Sequence, residues 1–93
     1  MAQPGTAFRR VSVDLIEADV DIGFSLVDMA DAERRIDDFT AASRALQEAE
    51  NVYSDIKVRM TKLEPAQIVG LEQLVAELRR AIDSARERGI APE

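Results

Sequence analysis

Residues 34–39 read RRIDDF, and this stretch decides whether the chain folds as a bundle or as a rod. Its two cations precede two acids, an order that suits the end of one helix and the start of the next, because the helix dipole is negative at its C-terminus and positive at its N-terminus. We therefore predict a tight turn over residues 35–38. No Gly or Pro marks it, so one continuous helix over residues 12–63 stays open as an alternative. Such a rod would expose its apolar face to water unless it dimerised.

Upstream of this turn, apolar or small residues recur at steps of three and four, which is the spacing of one helix face. This first stripe contains Phe8, Val11, Leu15, Ala18, Ile22, Ser25, Met29, Ala32, Ile36 and Phe39. A second stripe contains Ile16, Val20, Gly23, Val27 and Ala30. Together the stripes form a surface wider than one neighbouring helix covers, so we expect the first helix to touch two others. The pattern predicts a helix over residues 12–35 capped by Ser12, and a start at Thr6 stays open.

Downstream, the same periodicity predicts two more helices. The second covers residues 38–63 and places Phe39, Ala42, Leu46, Ala49, Tyr53, Ile56, Met60 and Leu63 on one stripe. Pro65 suits the first position of a third helix over residues 65–88, because its missing N–H is not needed there. That helix carries Ile68, Leu71, Val75, Leu78, Ile82 and Ala85 on its stripe, and Gly89 is placed for a left-handed cap.

These patterns predict an all-α fold, a three-helix antiparallel bundle. We expect a flexible leader over residues 1–11, a single helical domain over residues 12–89 and a tail over residues 90–93. Gly23 lies in the middle of the first helix, where Gly costs about 1 kcal/mol relative to Ala. Close approach of a neighbouring helix is the compensation we expect.

The composition excludes much of the common catalytic chemistry. The 93 residues include no Cys, His or Trp, so disulfides, thiol nucleophiles and imidazole acid–base chemistry are absent. A net charge of −6 argues against nucleic acid as a partner, because such partners require a basic face. No apolar run approaches the ~20 residues of a membrane span, and a cytoplasmic location is the default expectation. We predict no cofactor and no metal.

Residues 26–49 resemble the helical hairpin of tetratricopeptide repeats. Leu26, Met29 and Ala30 match the first-helix packing positions, Asp38-Phe39 matches the turn, and Ala42, Leu46 and Ala49 match the second-helix positions. The sequence departs from the family at Glu33 and Leu46, where aromatics are usual, and at Ser54, where proline is usual. No second copy follows at the family's period. The resemblance implies protein binding by one repeat-like hairpin that the third helix closes.

The first helix is also strongly acidic. Its candidate interaction face consists of Asp14, Glu17, Asp21, Asp28 and Asp31. Clustered carboxylates could bind a divalent cation or a basic protein, but no calcium-loop motif is present, and a solvated face is favoured over a metal site. Several cations have acidic neighbours at helical spacing: Arg44 with Glu48, Arg59 and Lys62 with Asp55, and Arg79 and Arg86 with Asp83.

We therefore expect a non-catalytic helical protein-interaction or scaffold module. Its partner would be another protein or a second copy of the chain, held in a helix-lined groove or on the acidic face of the first helix. The alternative is a small-ligand binder or small helical enzyme that uses carboxylates. A buried acid with a strongly shifted pKa in a concave pocket would favour that alternative.

Overall fold

A computed structural model describes the backbone of residues 4–90 and the side chains of residues 13–89. Within this range the chain forms three helices, α1 (Pro4–Arg35), α2 (Phe39–Met60) and α3 (Pro65–Ile90), and no strand. Each helix packs against the other two, and short turns make consecutive helices antiparallel. The prediction of an all-α three-helix bundle is confirmed. None of the helices, over the residues described, is long and apolar enough to cross a membrane.

The predicted break after residue 35 is a turn. The N–H of Asp38 donates to the carbonyl of Glu33 at 2.8 Å, and the N–H of Asp37 donates to that of Arg34 at 3.0 Å. These two hydrogen bonds close the C-terminal end of α1. The motif needs one residue in the left-handed conformation, and here that residue is Asp37, with φ of 65°. The carboxylate of Asp38 then accepts from the N–H of Ala41 at 3.1 Å and caps α2. The alternative of one continuous helix is therefore excluded.

Several helix bounds correct the expected ones. α1 begins at Pro4, so residues 4–11 are helical and Ser12 lies inside the helix and not at its N-cap position; residues 1–3 lie outside the described part. Proline favours the first position of a helix, and that preference sets the start here. α2 ends at Met60, and the turn to α3 holds the buried Leu63. α3 begins at Pro65 as expected.

The C-terminal end of the chain differs as well. α3 continues through Gly89 to Ile90, and no described glycine has a positive φ, so Gly89 forms no left-handed cap. Glycine tolerates the helical conformation at a small energetic cost, so Gly89 permits a left-handed cap without requiring one. The remainder of the expected tail, residues 91–93, lies outside the described part.

The core of the bundle is built from one face of each helix. Its largest fully buried side chains are Ile16, Val20, Ile56, Leu78 and Ile82. The second stripe of α1 therefore faces α2 and α3, and the partly buried Val13, Phe24 and Leu26 pack beside it. At Gly23, an added Cβ would lie 2.8 Å from Cδ2 of Leu78, which is well inside van der Waals contact. The close approach expected at this glycine is present.

The expectation for the first stripe of α1 was wrong. Where their side chains are described, all its members are exposed: Leu15, Ala18, Ile22, Ser25, Met29, Ala32, Ile36 and Phe39. We call these eight residues the outer stripe. Helix geometry places its members from Leu15 to Ala32 on the side of α1 opposite the core-facing stripe, so α2 and α3 cannot cover them. Ile36 follows in the turn, and Phe39 is the first residue of α2.

Candidate interaction surface on the outer face of the first helix

The outer stripe presents large apolar side chains to solvent in a regular row. Leu15, Ile22 and Met29 are each about half exposed, at 48%, 50% and 52%, and Ile36 reaches 74%. These four residues are spaced by seven, so they lie one above another every two turns. The row from Leu15 to Ile36 is about 32 Å long at 1.5 Å per residue. An apolar patch of this kind marks an interaction surface more often than an ordinary surface.

Small residues separate the large ones. Ala18, Ser25 and Ala32 lie between Leu15, Ile22, Met29 and Ile36 in the same row, and all three are exposed. From Leu15 to Ile36 the outer stripe thus alternates large and small side chains. Knobs and gaps of this kind suit the packing of another helix along α1.

The predicted acidic face is divided by the structure. Asp14, Glu17, Asp21 and Asp28 are exposed and lie along one border of the outer stripe; we call these four the acidic border. Asp31 is different, because it is half buried and accepts a hydrogen bond from Arg88 of α3 at 2.8 Å. Its carboxylate is therefore occupied within the bundle, and it does not belong to the free face.

Ion pairs help to explain which stripe of α1 faces the core. Arg59 of α2 pairs with Asp19, and Arg88 of α3 pairs with Asp31, so both acids beside the core-facing stripe meet cations. The acidic border has no such ion pair with the described cations of α2 or α3. Turning α1 so that the outer stripe faced inward would bring the acidic border toward the bundle and break these two pairs.

A separate charged cluster joins α2 to α3. Arg79 donates to both carboxylate oxygens of Glu50 at 2.9 Å, and Nε of Arg86 donates to the same group at 2.9 Å. The hydrogen bond from Arg79 is the largest cause that lowers the pKa of Glu50 to about 2, and the bond from Arg86 acts in the same direction. Partial burial of the carboxylate acts in the opposite direction and raises the pKa. Glu50 in turn raises the pKa of Arg79. The guanidinium of Arg79 also lies 4.8 Å from the ring centre of Tyr53.

This cluster gives the carboxylate alternative no support. The pKa of Glu50 moves downward, so the group is held ionised, whereas a general acid needs a raised pKa. No charged side chain is buried among residues 13–89. Within the same range, no three acidic side chains come together as a cation site would require.

A shallow groove of about 230 Å³ lies near the α1–α2 turn, lined in part by Arg34, Phe39, Leu46 and Arg86. Nε of Arg34 is buried there without a hydrogen-bond partner. An anion could pair with this guanidinium, but α1 ends at Arg35 and α3 ends nearby, and the negative ends of their dipoles oppose an anion. The groove is a weaker candidate than the outer stripe.

Sequence reasoning named the acidic residues and assigned the apolar ones beside them to the core. The signal that separates the two stripes is the position of the cations: among the acids of α1 whose side chains are described, Asp19 and Asp31 have cationic partners on the other helices. No protein-family model, curated protein or solved structure matches the chain. The resemblance to a tetratricopeptide hairpin therefore stays a prediction.

Proposed function

We propose that this chain is a non-catalytic protein-interaction module that binds a partner helix along the outer stripe of α1. The observation that carries the proposal is the exposed row of Leu15, Ile22 and Met29 on a helix whose other face already forms the core, continued by Ile36 in the turn that follows. Covering four such side chains removes apolar surface from water, which drives association.

The geometry favours a helix as the partner. The row from Leu15 to Ile36 follows the heptad spacing over about 32 Å, which matches one face of a helix of about six turns. A hairpin that resembles a tetratricopeptide repeat would also be expected to bind proteins. Of the residues that carry this resemblance, however, Met29 and Phe39 alone belong to the outer stripe.

Site-specific photocrosslinking in the cells that express the protein tests this function. A photoreactive side chain replaces Ile22 or Met29 in one set of variants. In the control set it replaces Val58 or Val69, which are 60% and 70% exposed and lie off the stripe. We expect covalent adducts with a polypeptide, of either this chain or another, from the stripe positions and not from the controls. Equal yields from both sets, or no adduct from either, would contradict the proposal.

A further inference from the structure

We infer that Met29 is a redox-sensitive site that controls binding along the outer stripe, because oxidation of its thioether by a peroxide puts a polar group into the apolar row. The inference rests on the proposed function, since it names the regulation of the same surface. Three observations carry it: the exposure of Met29, its place within the row, and a composition without the other side chains that peroxides readily oxidise.

The side chain of Met29 is open to solvent, whereas that of Met60 is not. Met29 is 52% exposed and borders a shallow groove of about 130 Å³ between α1 and α2, whose other lining side chains include Glu33 and Arg44. Met60 is 7% exposed and belongs to the core. The third methionine, Met1, lies outside the described residues. A peroxide dissolved in water therefore reaches the sulfur of Met29 more easily than that of Met60.

Few other side chains compete with Met29 for the oxidant. The chain has no Cys, His or Trp, and cysteine thiolates are a preferred target of peroxides in other proteins. The other large members of the row, Leu15, Ile22 and Ile36, carry hydrocarbon side chains. Among residues 13–89, Met29 thus holds the one exposed sulfur, and this sulfur lies in the row that we propose as the binding surface.

The reaction is a two-electron transfer of oxygen. The thioether sulfur attacks one oxygen of the peroxide, so that an S–O bond forms as the O–O bond breaks, and hydrogen peroxide leaves as water. The sulfur is oxidised to the sulfoxide, and the peroxide is reduced by the same two electrons. Methionine sulfoxide reductases reverse the change, in which the oxygen leaves as water and two thiols become a disulfide. The modification is therefore reversible.

The sulfoxide changes the row at a position that a partner must cover. Met29 is the third of four large side chains from Leu15 to Ile36, and the small Ser25 and Ala32 flank it. A partner helix that spans the row buries the sulfoxide oxygen, a strong hydrogen-bond acceptor, among apolar groups. Burial of this oxygen without a donor costs free energy that burial of the thioether does not. Oxidation of Met29 should thus weaken binding along the row.

The fold tolerates the change because Met29 lies outside the core. It is not among the buried or partly buried side chains that pack between the helices. Oxidation of Met29 therefore acts on binding and not on folding. Oxidation of Met60 would differ, because a polar oxygen would enter the core.

Treatment of the purified chain with hydrogen peroxide, followed by peptide mass spectrometry and circular dichroism, tests the first step. We expect Met29 to be oxidised at least about tenfold faster than Met60, with the helical spectrum unchanged while Met29 alone is oxidised. Equal rates at the two methionines, or loss of the fold on oxidation of Met29, would overturn the inference.

Photocrosslinking from Ile22, in the cells that express the protein, tests the effect on binding. Met29→Leu keeps the size of the side chain and removes the sulfur, and Met60→Leu makes the same change in the core. Brief exposure of the cells to hydrogen peroxide should lower the adduct yield at least about threefold in the unmodified chain and in Met60→Leu, but not in Met29→Leu. An equal loss in Met29→Leu would overturn the inference, because the oxidant would then act elsewhere, for example on the partner.

Met29→Gln supplies a polar side chain at this position without the oxidant. In untreated cells its adduct yield should be lower than that of Met29→Leu, and equal yields from the two variants would overturn the inference. If stripe positions give adducts whose yield does not depend on oxidation of Met29, the inference fails and the proposed function stands. If no stripe position gives an adduct, both fail.

Discussion

Replacing Gly23 by Ala puts two opposing effects in competition at the contact between α1 and α3. The helix itself gains about 1 kcal/mol, because Ala is the better helix former. The added Cβ, however, would lie 2.8 Å from Cδ2 and 3.0 Å from Cδ1 of Leu78, and ordinary carbon contacts are about 3.5–4.0 Å. Leu78 is fully buried, so a shift of its side chain disturbs other core contacts, and the overlap costs about 1–3 kcal/mol. We expect Gly23→Ala to lower the free energy of unfolding by about 1 kcal/mol.

Gly70 provides the matched control, because a Cβ there meets nothing within 4 Å. Gly70→Ala should raise the free energy of unfolding by about 0.5–1 kcal/mol through helix propensity alone. Urea denaturation followed by circular dichroism measures both variants. A third variant, Leu78→Val, removes the two colliding methyl groups, and Gly23→Ala should become stabilising in that background. If Gly23→Ala alone stabilises as much as Gly70→Ala, the close approach of α1 and α3 is refuted.

Three further changes test the turn and the charged cluster, all by the same denaturation assay. Asp37→Gly should stabilise by about 0.5–1 kcal/mol, because glycine adopts the left-handed conformation at φ of 65° without strain; a loss of stability would contradict that conformation. Asp38→Ala should destabilise by about 1 kcal/mol through loss of the cap on α2, and a neutral result would show that the cap is unimportant. Glu50 has a pKa of about 2 in the fold, below its ordinary 4.5, so its ionised form stabilises the fold fully above pH 4.5, and this contribution is lost as the pH falls toward 2. After allowance for solvent screening, Glu50→Gln should lower the free energy of unfolding by about 1–2 kcal/mol at pH 7 and by much less near pH 2, whereas a loss independent of pH would contradict the pairing with Arg79.

The sequence predicts the helices because each has a local signal. Pro65 marks the start of α3, and the order of charges in residues 34–39 marks the turn. The role of Asp37 was not predictable in the same way, because a left-handed residue is usually glycine and any of several positions could have adopted that conformation. Helix ends also depend on small energy differences, which is why α1 extends to Pro4 beyond the expected start.

The choice of the core face of α1 illustrates a limit of periodicity. Both stripes of α1 have helical spacing, and spacing alone does not say which one meets the other helices. The choice depends on pairs between helices, such as Arg59 with Asp19, that are far apart in the chain. The pair of Arg79 with Asp83 was predictable because four residues separate them on one helix, whereas the bonds of Arg79 and Arg86 to Glu50 were not.

The central claim is that the outer face of α1, and not its core-facing stripe, is where another chain binds. Photocrosslinking from Leu15 and Ile36, at the two ends of the exposed row, in the cells that express the protein tests it most directly. The account predicts covalent adducts with another polypeptide from both positions and none from Val58 or Val69, which are exposed but lie off the stripe. Adducts from Val58 and Val69 in equal yield, or none from Leu15 and Ile36, would contradict it.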